Sequence, residues 1–251
     1  MLITPASAQV RPAHVPSFRS ALLPLVIMLA IVLTSSVRAA GVPLVESTAG
    51  AGIAFARYIA GLERARPWSL ETLEIDAALP KLAKQGRLRA IRRLLLFDKP
   101  EYQVLEIAGD ETVRQQVILR YLSAEVRAAA IPASSVAITP ANYKFHYKGS
   151  VKTGDAVAYA FQITPREKRE GLIKGELWLD GETGSVVRES GYLVKKPSIF
   201  LKRVDVSREI VLRDGVAEIR FTHLSVDTRL VGRAELTIQE RPIPLRIAGL
   251  P

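Results

Sequence analysis

Hydrophobic and polar positions alternate with period two over most of this chain, the pattern of strands whose two faces differ. It is clearest from Gly154 to Val194. Val157, Tyr159, Phe161 and Ile163 point one way, and Ala156, Ala158, Ala160 and Gln162 the other. Paired antiparallel with the next run across the charged loop Arg166 to Glu170, Val157 faces Leu179, Tyr159 faces Leu177, Phe161 faces Gly175 and Ile163 faces Ile173. Trp178 then falls opposite Ala158 on the other side. The turn from Asp180 to Gly184 sends back Ser185 to Val194, with Val187 beside Leu177 and Arg188 beside Glu176.

The same reading carries along the rest of the chain. Ala49 to Arg64 has helical spacing, with Ser47 or Thr48 as N-cap and Pro67 closing it. Ser69 to Leu79 alternates, placing Leu73, Ile75, Ala77 and Leu79 on one side. Leu82 to Phe97 fits a strand bounded by Gly86 and Lys99-Pro100, although a helix also satisfies much of its arginine-rich text, and Tyr102 to Ile107 reads as the next strand. Asp110 caps a helix running to Ala129, with Val113, Val117, Leu119, Tyr121 and Val126 on a broad apolar face. Ile131 to Asn142 reads as a connecting loop, and Tyr143 to Ser150 resumes the sheet. Asp214-Gly215 marks a hairpin setting Leu212 against Ala217, Ile210 against Ile219 and Val206 against His223, with Glu209 meeting Arg220. Val231 to Ile238 is the last strand, stopped by the prolines at 242 and 244. About ten strands and two helices on short connections predict an antiparallel α+β fold.

Composition changes this picture at the N-terminus. Arg11 and Arg19 precede an apolar run from Ala21 to Leu33, and Val37-Arg38-Ala39 offers small residues for a signal peptidase, so residues 1–39 read as a signal peptide. The run is short for a span, which needs about 20 residues; an uncleaved anchor is the alternative. Residues 40–251 then form a single domain, long enough for a real core. The net charge is +10, and removing the three leader arginines leaves +7. Interspersed acids and the lack of any nucleic-acid-binding motif exclude nucleic acid as the expected partner, and favour an anionic membrane surface or an acidic envelope protein. There is no cysteine, so disulfides, thiolate metal sites and cysteine nucleophiles are excluded.

YAFQITP followed by GELWLDGETGSVVRE, within this order of helix, strands, helix and long meander, resembles the LolA-type periplasmic superfamily of lipoprotein-sorting and related lipid-binding proteins. The family elements fall at Ile163-Thr164-Pro165, Trp178-Leu179-Asp180 and Gly184 to Arg188. The resemblance implies a curled antiparallel β-sheet, an incomplete barrel whose concave face is covered by helices and accepts acyl chains. It also implies an exported protein, periplasmic if the envelope has two membranes. The cavity arginine through which the best-known carriers latch their lid finds no aligned counterpart; Arg87, Arg89 and Arg92 stay open.

On this reading Val157, Tyr159, Phe161, Ile163, Leu177, Leu179, Leu73 and Ile75 are the candidate wall of a lipid cleft, the alternative being plain core beneath a helix. The expected ligand is a lipid or the acyl anchor of a lipoprotein. His223 reads as an inward core histidine and His146 as strand filler, with no metal-ligand spacing around either. Lys195-Lys196 and Lys202-Arg203 suit phosphate headgroups or a solvated sheet edge. Asp180 reads as a turn residue, and no nucleophile elbow or phosphate loop is present. The expectation is therefore a non-enzyme without cofactor. Its rival is an interaction or sensor module with a packed interior.

Overall fold

The connection from one sheet edge to the other decides this architecture. A computed structural model describes residues 44–62, 68–95, 99–153, 156–213, 216–229 and 232–243; the expected leader lies outside them. Ten strands form one antiparallel sheet: β1 Trp68–Leu79, β2 Lys84–Leu95, β3 Glu101–Gly109, β4 Tyr143–Thr153, β5 Ala156–Pro165, β6 Ile173–Asp180, β7 Val186–Leu193, β8 Leu201–Arg213, β9 Val216–Thr228 and β10 Arg233–Pro242. Their order is β3-β2-β1-β10-β9-β8-β7-β6-β5-β4, an open sheet with β3 and β4 at its edges. Helix α1 is Leu44–Leu62, and helix α2 spans residues 111–128. This is the predicted α+β class with an unclosed antiparallel sheet.

Register shows how the alternation becomes two faces. On one face a single ladder crosses all ten strands: Ile107, Leu88, Ile75, Ile238, Thr222, Arg208, Glu189, Leu177, Phe161 and Tyr147. It is apolar at both ends and polar in the middle. The adjacent ladder on the other face runs Glu106, Arg89, Glu74, Gln239, Phe221, Glu209, Arg188, Trp178, Ala160 and Gly149, half of them charged. Glu74 and Asp76 there pair with Arg89 and Arg87 at 3.4 and 2.8 Å.

Each apolar end of the covered face has its own helix. Under α2, Leu73, Ile75, Leu79, Leu88 and Ile238 pack with Val113, Val117, Ile118 and Leu122, a first core. The Asp110 carboxylate caps α2 as expected, accepting from the amides of Thr112 and Val113 at 2.8 and 3.4 Å. A π-helical turn at Arg114–Ile118 adds a residue to the turn and lets both Val117 and Ile118 face the sheet. Under α1, Tyr143, Phe161, Ile163, Leu172, Leu177 and Leu179 pack with Ala51, Ala54 and Tyr58, a second core.

Several predicted registers shift, each for a local reason. β5 and β6 pair two residues later than expected, Tyr159 with Leu179, Phe161 with Leu177 and Ile163 with Gly175, which preserves the faces. β6 and β7 also pair two residues later than expected, so Leu177 faces Glu189, not Val187, and Gly175 faces Gly191, where a Cβ on Gly175 would lie 1.9 Å from the Ser190 carbonyl oxygen; only glycine fits that approach. Trp178 consequently faces Ala160 and Arg188, not Ala158, and Arg188 meets Glu209, not Glu176. Leu212 faces Ala217 as predicted, but a bulge between Val211 and Leu212 slips the rest by one, so Val206 faces Leu224 and Ser207 faces His223. His223 is therefore exposed and bonded to Thr237 at 3.1 Å, a correction to its inward placement. α1 begins before Ser47 and Thr48, which do not cap it. β10 continues through Pro242, because the Ile243 amide bonds back to Leu70 (2.7 Å) and Pro242 points its missing N–H to the side where pairing with β9 has stopped, beyond Glu240 and Arg220.

A buried ionic cluster ties α2 to the sheet. Arg92, on the covered face and 3 % exposed, donates to Glu71 at 2.5 Å, to Glu125 of α2 at 2.8 Å, and to Glu240. Tyr102 donates to the other Glu125 oxygen at 2.7 Å, and Arg220 reaches Glu240 at 3.2 Å. Burial opposes the Arg92 charge, yet Glu240, Glu125 and Glu71 together raise its pKa. Arg92→Ala leaves three carboxylates without their shared cation and should cost about 3–5 kcal/mol in denaturant unfolding; a loss near that of an exposed ion pair would contradict the buried network. Burial first, with Glu125 second, also raises the pKa of Tyr121 and of Tyr102, and burial that of Tyr58. These phenols stay protonated in the fold when the unfolded chain ionises near pH 10. Stability is thus whole below about pH 10 and falls above it, by about 1.4 kcal/mol per pH unit for Tyr121. Unfolding curves through that range should show the slope, and Tyr121→Phe should reduce it.

Candidate functional site

The candidate wall is divided between the two cores. Leu73 and Ile75 lie beneath α2, both 0 % exposed. Tyr159, Phe161, Ile163, Leu177 and Leu179 gather around the second core, while Val157 is half-buried beside Gly181. The fold therefore brings five of the eight together, and sets the other apolar pair at the far end of the same face.

Small residues let α1 lie flush on the five. Ala51 and Ala54 are buried against the sheet, and a Cβ on Gly50 would come 2.1 Å from the Tyr159 hydroxyl oxygen. Phe55 fills the remaining depth, with ring centroids 4.8 Å from Phe145 and 5.5 Å from Phe161. Gly184, at φ +72°, supports the helix from the β6–β7 turn; a Cβ there would sit 2.7 Å from both the Ala54 oxygen and the Tyr58 nitrogen. Asp180 shapes that turn as expected, accepting from the Thr183 amide and hydroxyl, both at 2.7 Å. Tyr58 donates to the Ile138 carbonyl at 2.9 Å, and Arg57 to the carbonyls of Gly181 and Glu182.

Between the two covers the inner face is only half-buried. Ile210 and Leu212 of β8, Ala217 of β9 and Val186 of β7 meet Arg57, Tyr58, Gly61 and Leu62 of α1 around an open groove of about 270 Å³. Farther along these strands Val206 faces Leu224, both half-buried. The polar middle of the ladder crosses here: Arg208 bonds Glu189 at 2.8 Å and Thr222 at 3.4 Å. An ion pair beside apolar side chains, partly open to solvent, suits a ligand with one charged end and one oily end.

Sequence reasoning missed this trough because its residues belong to no single motif. The available signal was the charge at inward positions of alternating strands, Glu71, Arg92, Glu189, Arg208, Arg220 and Glu240. Of the three open arginines, Arg92 alone lies on the covered face; Arg87 and Arg89 pair outside. His146 is exposed. Lys195, Lys196 and Lys202 are exposed at one end of the sheet. Among the described residues no helix is long and apolar enough to cross a membrane.

No family model and no curated protein matches the chain. Among solved structures it is similar to a LolA superfamily protein from Nitrosomonas europaea, at 11% identity over 80% of this chain and 94% of that one, with a TM-score of 0.34. It is also similar to a DUF1329 family protein from Desulfovibrio piger, at 10% identity over 81% and 95% of the two chains (TM-score 0.40). A third is a putative outer membrane lipoprotein-sorting protein domain from Vibrio parahaemolyticus, at 9% identity over 82% and 94% (TM-score 0.34).

Proposed function

We propose that this chain is an exported, non-catalytic binding protein. It takes the acyl chain of a lipid, or the anchor of a lipoprotein, onto the covered face of its sheet, entering at the trough over β7–β9. The observation that carries this reading is the half-buried apolar floor of Ile210, Leu212, Val206 and Leu224, which continues from an oily wall sealed by a helix. The charged end of the ligand would lie by Arg208 and Arg57.

Size decides how the ligand fits. A groove of about 270 Å³ is below the roughly 300–1,000 Å³ of pockets that enclose small molecules. Full entry therefore needs α1 to lift from Tyr159, Phe161 and Leu179. About fifteen methylenes contribute on the order of 10 kcal/mol at ~0.8 each. Exposing Tyr58, Phe55 and Ile59 of α1 returns roughly half of that, at about 1.5–3 kcal/mol per side chain. The remainder is a weak, reversible affinity, which suits a protein that must release its cargo.

A second reading, an interaction module with a packed interior, is favoured by one observation: Leu73, Ile75, Ile163, Leu177 and Leu179 are each 0 % exposed. A fluorescent fatty acid separates the two. Gly184→Ala, which unseats α1, should raise its binding several-fold, and Leu212→Asp should lower it in both backgrounds. Native mass spectrometry of protein taken from its host membranes should show lipid-mass adducts. Failure of both the wild type and Gly184→Ala to take up the probe, with no adduct, would establish the packed module.

A further inference from the structure

One end of the sheet carries an exposed apolar tip among loops of net positive charge. The β7–β8 loop reads Lys195-Lys196-Pro197-Ser198-Ile199-Phe200, and Ile199 and Phe200 are 80 % and 55 % exposed. Ile199 is the most exposed large apolar side chain among the described residues. The loop is held, not loose: Phe200 and Leu201 donate backbone bonds to the Ser198 hydroxyl and carbonyl at 3.3 and 3.2 Å, and Arg229 donates to the Phe200 carbonyl at 3.0 Å. Register places the β1–β2 and β9–β10 turns at this same end. The β1–β2 turn adds exposed Lys81 and Leu82, the latter 46 % exposed.

Charge selects the occupant. Lys81, Lys195, Lys196 and Arg229 are exposed in these three loops, whose described residues include no acid, and the neighbouring β5–β6 loop at the same end adds Arg166, Lys168 and Arg169 against Glu167 and Glu170, so the end stays net positive. Behind them Arg203 is held by Asp205 at 2.8 Å and stacks on Tyr192, 4.6 Å from the ring centroid. We propose that this end docks on an anionic bilayer surface, with Ile199 and Phe200 entering the headgroup–acyl boundary and the lysines among lipid phosphates. Both halves of the surface are needed for such a contact: the apolar tip gains by leaving water, and basic residues gain near anionic headgroups. An acidic protein would satisfy the lysines but leaves 80 % exposed Ile199 without a counterpart of its own kind. This assignment rests on the sheet end and not on the trough, so either can fail alone.

The cysteine-free chain permits a single probe. Ser198→Cys in the full chain is labelled with an environment-sensitive fluorophore, and Lys152→Cys, at the opposite end of the sheet, serves as control. With phosphatidylglycerol-containing vesicles the Ser198 label should shift to the blue and be quenched by lipids bearing a spin label, and the Lys152 label should do neither. Lys195→Glu with Lys196→Glu should weaken the response at least about tenfold, given about 1 kcal/mol per basic residue near the surface, and Ile199→Asp should abolish the quenching. Far-ultraviolet dichroism of the variants checks that they remain folded. Equal behaviour of the two labels overturns the proposal. So does a shift of the Ser198 label by soluble polyaspartate that matches the vesicle response, which would assign the surface to an acidic protein.

Discussion

Strands β3 and β4 follow one another in the chain, yet they form the two opposite edges of one sheet. Residues 110–142 must therefore travel from edge to edge, and they do so over the covered face. α2 seats on the first core, and Val136 and Ile138 reach the second. A connection of this kind cannot avoid burying what it passes over, which is why the face beneath α2 is apolar except where Arg92, Glu71 and Glu240 meet Glu125 as a paired cluster. The rest of the sheet is a meander in which each strand pairs with its neighbour in sequence, and only the contact of β1 with β10 joins distant parts. This single long connection thus decides which face is covered and where the trough is left.

The polar middle of the covered face has a cost that its geometry offsets. Arg92 is held by three carboxylates, and Arg208 by Glu189 and Thr222, so charges in half-dry surroundings keep their partners. Replacing such groups by apolar side chains would join the two cores into one, and replacement of buried ion pairs is often no loss to stability. The Arg92 cluster lies dry beneath α2, whereas Arg208, partly open to solvent, and Glu189 keep the middle of the face polar between the two cores. Each helix is therefore supported by its own set of contacts, α1 by small residues and aromatic rings, α2 by its cap and by Glu125.

Strand identity was legible in the sequence because period two survives any register. About ten strands were expected and ten are found among the described residues, and the Asp110 cap and the side on which Tyr159, Phe161 and Ile163 lie follow from local pattern alone. Register was less legible. The β6–β7 pairing depends on Gly175 finding Gly191, a contact between strands that neither shows by itself. In the β8–β9 hairpin the expected turn, Asp214-Gly215, lies outside the described residues; the flanking pair Leu212 with Ala217 was read correctly, and the bulge beyond it, invisible in composition, turned His223 outward. The trough was illegible for a similar reason: Arg57, Val186, Leu212 and Ala217 come from four elements and meet only in the fold.

The pairing of β1 with β10 also orders events during synthesis. Leu236 and Ile238, near the end of the chain, complete the same core as Leu73 and Val113. The second core, built from α1 and residues 136–194, has all its parts much earlier. On the ribosome the α1 half can condense while β1–β3 and α2 wait with an oily flank in water, the long-separation contact that makes assembly slow and aggregation-prone. A chaperone that meets the growing chain would find its target in that waiting half.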